Sequence, residues 1–118
     1  MMVDLTVQVP DELAGRLEPI RNWLPTIIEL SLVGYKTPAM ETAAEIIQFL
    51  SENPSPDDVL NYHASERAQT RLRYLLNRNK SATLEDKEQR ELDEIEEIEH
   101  IMVMLKANIA PQTKSKNL

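Results

Sequence analysis

Between Leu92 and Ile109 the apolar residues Leu92, Ile95, Ile98, Met102, Leu105 and Ile109 recur at intervals of three or four. That spacing returns a side chain to one helical face on every turn, so the segment is predicted as a long amphipathic helix whose apolar stripe must be covered. A chain of 118 residues built around such a helix is one domain, or a small domain with an extension, and mainly α. Only two glycines are present, too few for the tight turns of an all-β fold. Thr83, with Asp86 three residues on, resembles a capping box at the helix start. Pro111 is predicted to end the helix near Ala110 and to leave residues 111–118 as a loose tail.

The preceding segment reads as the other arm of a hairpin. Ser65 is placed to cap a helix carrying Ala68, Leu72, Leu75 and Leu76, and "NRNKSA" (77–82) supplies the turn, so residues 63–110 form a helical hairpin. Arg67, Arg71, Arg73, Arg78 and Lys80 lie on its first arm, and nine acids lie between Glu85 and Glu99 on its second. The simplest use of these charges is complementarity across the hairpin, which fixes register although each exposed pair contributes little. The competing use of the basic residues is a patch for DNA.

Residues 37–62 read as connecting helices and a linker. Thr37-Pro38 is cap and first turn of a helix with Met40, Ala43, Ala44, Ile47 and Leu50 as its apolar positions. "NPSPDD" (53–58) is the linker, and Ser55-Pro56 caps a short helix through Tyr62. Earlier in the chain, a helix starting at Pro25 carries Ile27, Ile28, Leu30 and Leu32 and ends at Gly34.

The N-terminus departs from this helical pattern. Leu5, Val7 and Val9 alternate with Asp4, Thr6 and Gln8, which predicts a strand over residues 3–9. Pro10 stops it, and a short helix with Leu13 and Leu17 on one side follows until Pro19. A lone strand leaves both edges unpaired. Its nearest available partner is a second copy across a two-fold axis, and the alternative is pairing inside some other α+β fold.

A strand followed at once by two short helices resembles the ribbon-helix-helix family of repressors and antitoxins. The match lies in "LTVQVPDELAGRLEPI" and "LPTIIELSLVGYK", roughly residues 3–36. The resemblance implies an intersubunit antiparallel ribbon and a homodimer core of Leu5, Val7, Val9, Leu13, Leu17, Ile27 and Ile28. It also implies that Asp4, Thr6 and Gln8 face the bases of the DNA major groove while Pro25 and Thr26 meet a phosphate. Gln8 suits that task, because its amide can pair bidentately with adenine. Against it stand a net charge of −7 and a strand with no Arg or Lys, since phosphate attraction supplies much of the affinity for DNA.

An N-terminal dimer unit with a C-terminal helical arm resembles type II antitoxins, in which the arm wraps a toxin, often a basic nuclease. Ile101, Met102, Val103, Met104 and Leu105 crowd more than one face of the last helix, giving it more apolar surface than a single hairpin neighbour covers. Leu92, Ile95, Ile98, Met102 and Leu105 are therefore expected to bind a protein partner. The competing expectation is that Ile101 to Leu105 pack on residues 39–50.

Little in the chain suggests catalysis. The absence of Cys excludes thiolate nucleophiles, disulfides and Cys-type zinc sites. Glu97-x-x-His100 has the spacing of half a di-iron site, but in a Glu-rich helix such spacing arises by chance. His63, beside Tyr62, reads as a helix-end or surface residue, and Trp23 and Tyr35 as core or interface residues. No enzyme activity, cofactor or metal is expected. No signal peptide is visible and no apolar run approaches the roughly 18 residues of a membrane span, so a cytoplasmic protein without a membrane partner is expected. Two functions follow. One is an antitoxin-like or autorepressor dimer binding operator DNA through the ribbon and a toxin-like protein through the C-terminal helices. The other is a helical adaptor that dimerises through the strand and does not bind DNA.

Overall fold

Four helices pack on α6 (Asp86–Lys116): α2 (Leu24–Ser31), α3 (Ala39–Ser51), α4 (Pro56–Leu60) and α5 (Glu66–Lys80). They are preceded by α1 (Asp11–Leu17) and a 3₁₀ turn (Glu18–Ile20). The structure, a computed structural model, describes the backbone of residues 2–116 and the side chains of residues 2–110.

Local chemistry sets the helix starts. Pro19 ends α1 by opening the 3₁₀ turn, and Pro25 sits in the first turn of α2. The Thr37 hydroxyl accepts from the Ala39 amide at 3.2 Å. Ser55 and Asp58 form a capping box on α4, and the Ser65 hydroxyl accepts from the Ala68 amide to open α5. At the start of α6 the capping differs from the expectation. The Thr83 hydroxyl turns back to donate to the Arg78 carbonyl, while the Glu88 carboxylate accepts from the Glu85 amide. That bond spans three residues, as in the second half of a capping box, and Ala82, just before it, lies in the left-handed region with φ of 55°.

The core is the apolar stripe of α6 and what covers it. Leu92, Ile95, Ile98, Ile101, Met102 and Ile109 are buried together with Leu30 of α2, Ala43, Ile46 and Leu50 of α3, Val59 of α4 and Leu75 of α5. α6 does not end at Pro111 as predicted but runs to Lys116. A proline removes one hydrogen bond, to the carbonyl four residues back, and need not unwind the turns on either side. Of the predicted tail, residues 117–118 lie outside the described residues.

The predicted N-terminal strand and intersubunit ribbon are not there: the described residues contain no strand. Residues 2–10 have no secondary structure, and the backbone groups of residues 2–9 make no hydrogen bond among the described residues. Alternation supplies an apolar face, but a strand exists only through its ladder, and no second strand lies among the described residues to provide one. The expected dimer core is dispersed accordingly. Leu5, Val7, Leu13 and Ile28 are exposed, Val9 and Leu17 are half-buried, and Ile27 packs against the chain's own core. α1 buries none of its residues. The radius of gyration of 16.5 Å exceeds the roughly 13.5 Å of a compact domain of this length. An uncovered N-terminal segment and a helix of 31 residues, about 46 Å long, are consistent with that excess.

Candidate protein-binding surface

Several charges of the hairpin are paired within the fold. The Arg71 guanidinium donates two parallel hydrogen bonds to the Glu91 carboxylate, both at 2.8 Å, and Glu91 is only 3% exposed. The hydrogen bonds from Arg71 raise its own pKa further. Arg78 pairs with Glu88 at 3.2 Å, and Arg67 reaches across to Glu41 of α3 at 2.8 Å. The Glu85 amide, helped by Arg78, holds the Glu88 carboxyl below its ordinary value. Tyr74 lies beneath both guanidinium groups, 5.0 Å from Arg71 and 5.5 Å from Arg78. Arg73, by contrast, bonds only to Thr70 on its own helix.

The residues expected to hold a partner are occupied. Leu92, Ile95, Ile98 and Met102 are buried and Leu105 packs against the same core, so the stripe is covered by the chain itself. α3 packs on α6 with α2, α4 and α5, but of Ile101 to Leu105, the stretch expected to pack on residues 39–50, Val103 and Met104 are exposed. What remains open on α6 is the other face, where Val103 and Met104 are more than half exposed.

The residues expected to face DNA are separated. Asp4, Thr6 and Gln8 lie exposed along the N-terminal segment, and Pro25 is exposed at the start of α2. Thr26 is buried, so its side chain is withdrawn from any phosphate. Glu97 and His100 are exposed, and the described residues hold no group of three or more potential metal ligands. His63 is exposed before α5.

Exposed apolar surface is instead concentrated at the N-terminus. Among the described residues twelve large apolar side chains are exposed, and eight of them lie in the first 40 residues: Met2, Val3, Leu5, Val7, Leu13, Ile28, Leu32 and Met40. Leu5 is 87% exposed. None of the described helices is long and apolar enough to cross a membrane.

One further residue emerges only from the folded chain. Glu94 accepts from the Thr37 hydroxyl at 2.8 Å and from the Lys36 amide at 3.3 Å, pinning the start of α3 to α6. Trp23 is buried and its indole donates to the Pro54 carbonyl at 3.0 Å. Tyr35 packs against the core with its hydroxyl buried and without a partner among the described residues. Burial, then Glu97 and Glu94, push its pKa up to about 12. The folded state therefore resists losing that proton, and stability is expected to be unaffected below the ordinary value of 10.0 and to fall as pH rises from there towards 12. Tyr35→Phe should reduce this alkaline loss, part of which remains because burial also raises the pKa of Tyr62, and should change neutral stability by less than about 1 kcal/mol, because the hydroxyl it removes makes no bond. Thermal melts of both proteins at neutral and alkaline pH measure it; an identical alkaline loss in Tyr35→Phe would contradict the assignment.

Comparison with protein-family models, curated proteins and solved structures found no match to this chain.

Proposed function

We propose that this chain is a helical binding protein that engages a protein partner through its N-terminal segment, residues 2–13. The observation that carries this reading is the run of exposed Met2, Val3, Leu5, Val7 and Leu13 on a stretch with no buried residue. Leu5 and Val7 each stand to gain about 1.5–3 kcal/mol if fully buried by a partner. The open backbone of residues 2–9 offers hydrogen bonds alongside. Ordering an extended segment on binding costs conformational entropy, so the contact is one that a partner can reverse.

Of the two functions expected from the sequence, the adaptor is the one retained, without dimerisation through a strand. Operator recognition depended on a paired ribbon to hold Thr6 and Gln8 rigidly against base edges. Without that ribbon the two side chains have no such frame.

A photo-crosslinking residue placed at Leu5 in the native host should yield a defined protein adduct that Val7→Asp removes. The same probe at exposed Lys80 should yield none. No adduct at position 5, or equal adducts at both positions, would exclude the N-terminal segment as the binding element. A sequence-specific gel shift with promoter DNA that Gln8→Ala abolishes would return the operator reading to first place.

A further inference from the structure

We propose that residues 3–9 bind by joining the exposed edge of a β-sheet in the partner protein, as one added strand. Val3, Leu5 and Val7 are 85%, 87% and 67% exposed, and they alternate with Asp4, Thr6 and Gln8, which are exposed as well. Residues two apart in a strand share a face, so pairing with a sheet edge brings Val3, Leu5 and Val7 to one side and the three polar residues to the other. A helix, at about 100° per residue, would set Leu5 and Val7 roughly 200° apart, where no single groove takes both. Val3, Thr6, Val7 and Val9 are β-branched, which suits a pleated strand and disfavours a helix. Pro10, with φ of −58° and ψ of 151°, is itself extended and, having no amide hydrogen, ends the stretch before α1.

The missing half of the ladder sets the kind of partner. The backbone groups of residues 2–9 make no hydrogen bond among the described residues, which contain no strand to supply one. A second copy of the chain offers only its own residues 3–9, and a ribbon of two strands is marginal in water. A sheet already formed in another protein has an edge of unpaired amides and carbonyls, so an added strand gains its bonds without a sheet having to be built. The main chain then supplies affinity, and the pockets that receive alternate side chains supply specificity. Asp4 is the only charged residue from 3 to 9, so the segment carries no lysine of the kind that keeps sheet edges apart. Val9 is already half-buried, which leaves Val3, Leu5 and Val7 as the anchors for the partner.

The pairing rests on residues 2–13 being the binding element, and a crosslinking scan lets the two fail separately. The full chain is expressed in its native host with a photo-crosslinking residue at each position from 3 to 8 in turn. Adducts at positions 3, 5 and 7 should exceed those at 4, 6 and 8 at least about fivefold, because the outer face of the added strand looks into solvent. Their attachment points, read by mass spectrometry, should lie two residues apart in one segment of the partner. Inserting one alanine between Thr6 and Val7 turns Val7 to the polar face and should cut the adduct at position 5 about tenfold. Inserting Val-Thr at the same point keeps the alternation and should leave that adduct within about twofold of the parent. Equal adducts at neighbouring positions, or attachment points scattered over several segments, overturn the added strand while residues 2–13 stay the binding element. Equal losses from the one- and two-residue insertions do the same. No adduct at any position overturns both. An adduct at twice the mass of the chain assigns the segment to a second copy and overturns the partner sheet.

Discussion

Ile98→Asp is expected to unfold the protein, with loss of the helical circular-dichroism signal rather than loss of one binding activity. Ile98 is 1% exposed and sits in the middle of the stripe that α2, α3, α4 and α5 cover together. An unpaired carboxylate there costs several kcal/mol, a large fraction of the 5–15 kcal/mol that holds an ordinary domain. Ile98→Ala, which leaves a cavity but no charge, should cost about 2–5 kcal/mol in urea denaturation. Val103→Asp, five residues on but exposed, should stay within about 0.5 kcal/mol of the parent. The contrast separates two roles for α6 that the same periodicity allows. If Ile98→Asp remained folded, the stripe would be a surface for another protein and the core would lie elsewhere.

The second large effect belongs to Arg71. Its removal leaves the Glu91 carboxylate, 4% exposed, buried without its cation. Arg71→Ala should therefore cost about 3 kcal/mol, at the low end for a broken buried pair because the guanidinium itself is 43% exposed. Glu91→Leu in the Arg71→Ala background should recover most of that loss, since the buried charge is gone and an apolar side chain fills its place. Urea denaturation of the parent, the single variants and the double variant closes the cycle. A loss below about 0.5 kcal/mol in Arg71→Ala would place this bridge with ordinary exposed pairs such as Arg67–Glu41.

Much of the helical layout was legible from residues close together in the chain. Ser55 and Asp58, Ser65 and Ala68, Pro19 and Pro25 act within four residues of where they stand, and a capping bond or a missing amide works the same way whatever surrounds it. Periodicity likewise identified α6 and its apolar face. It could not say what lies on that face, because contacts such as Thr37 with Glu94, 57 residues apart, and Trp23 with Pro54, 31 apart, are made only when the chain returns on itself. For the same reason Leu92, Ile95, Ile98 and Met102 read as a surface for another protein and are in fact core. Residues 3–9 show the limit from the other side. Alternating side chains are a local property, whereas pairing needs a second strand, and the described part of this fold has none. The sequence by itself determined where the helices start and which of their faces are apolar, since those depend on bonds and spacings inside one segment. Only the tertiary structure decided which apolar faces were covered and which carboxylates were paired, because burial depends on segments distant in sequence, and what they leave exposed is the surface open to a partner.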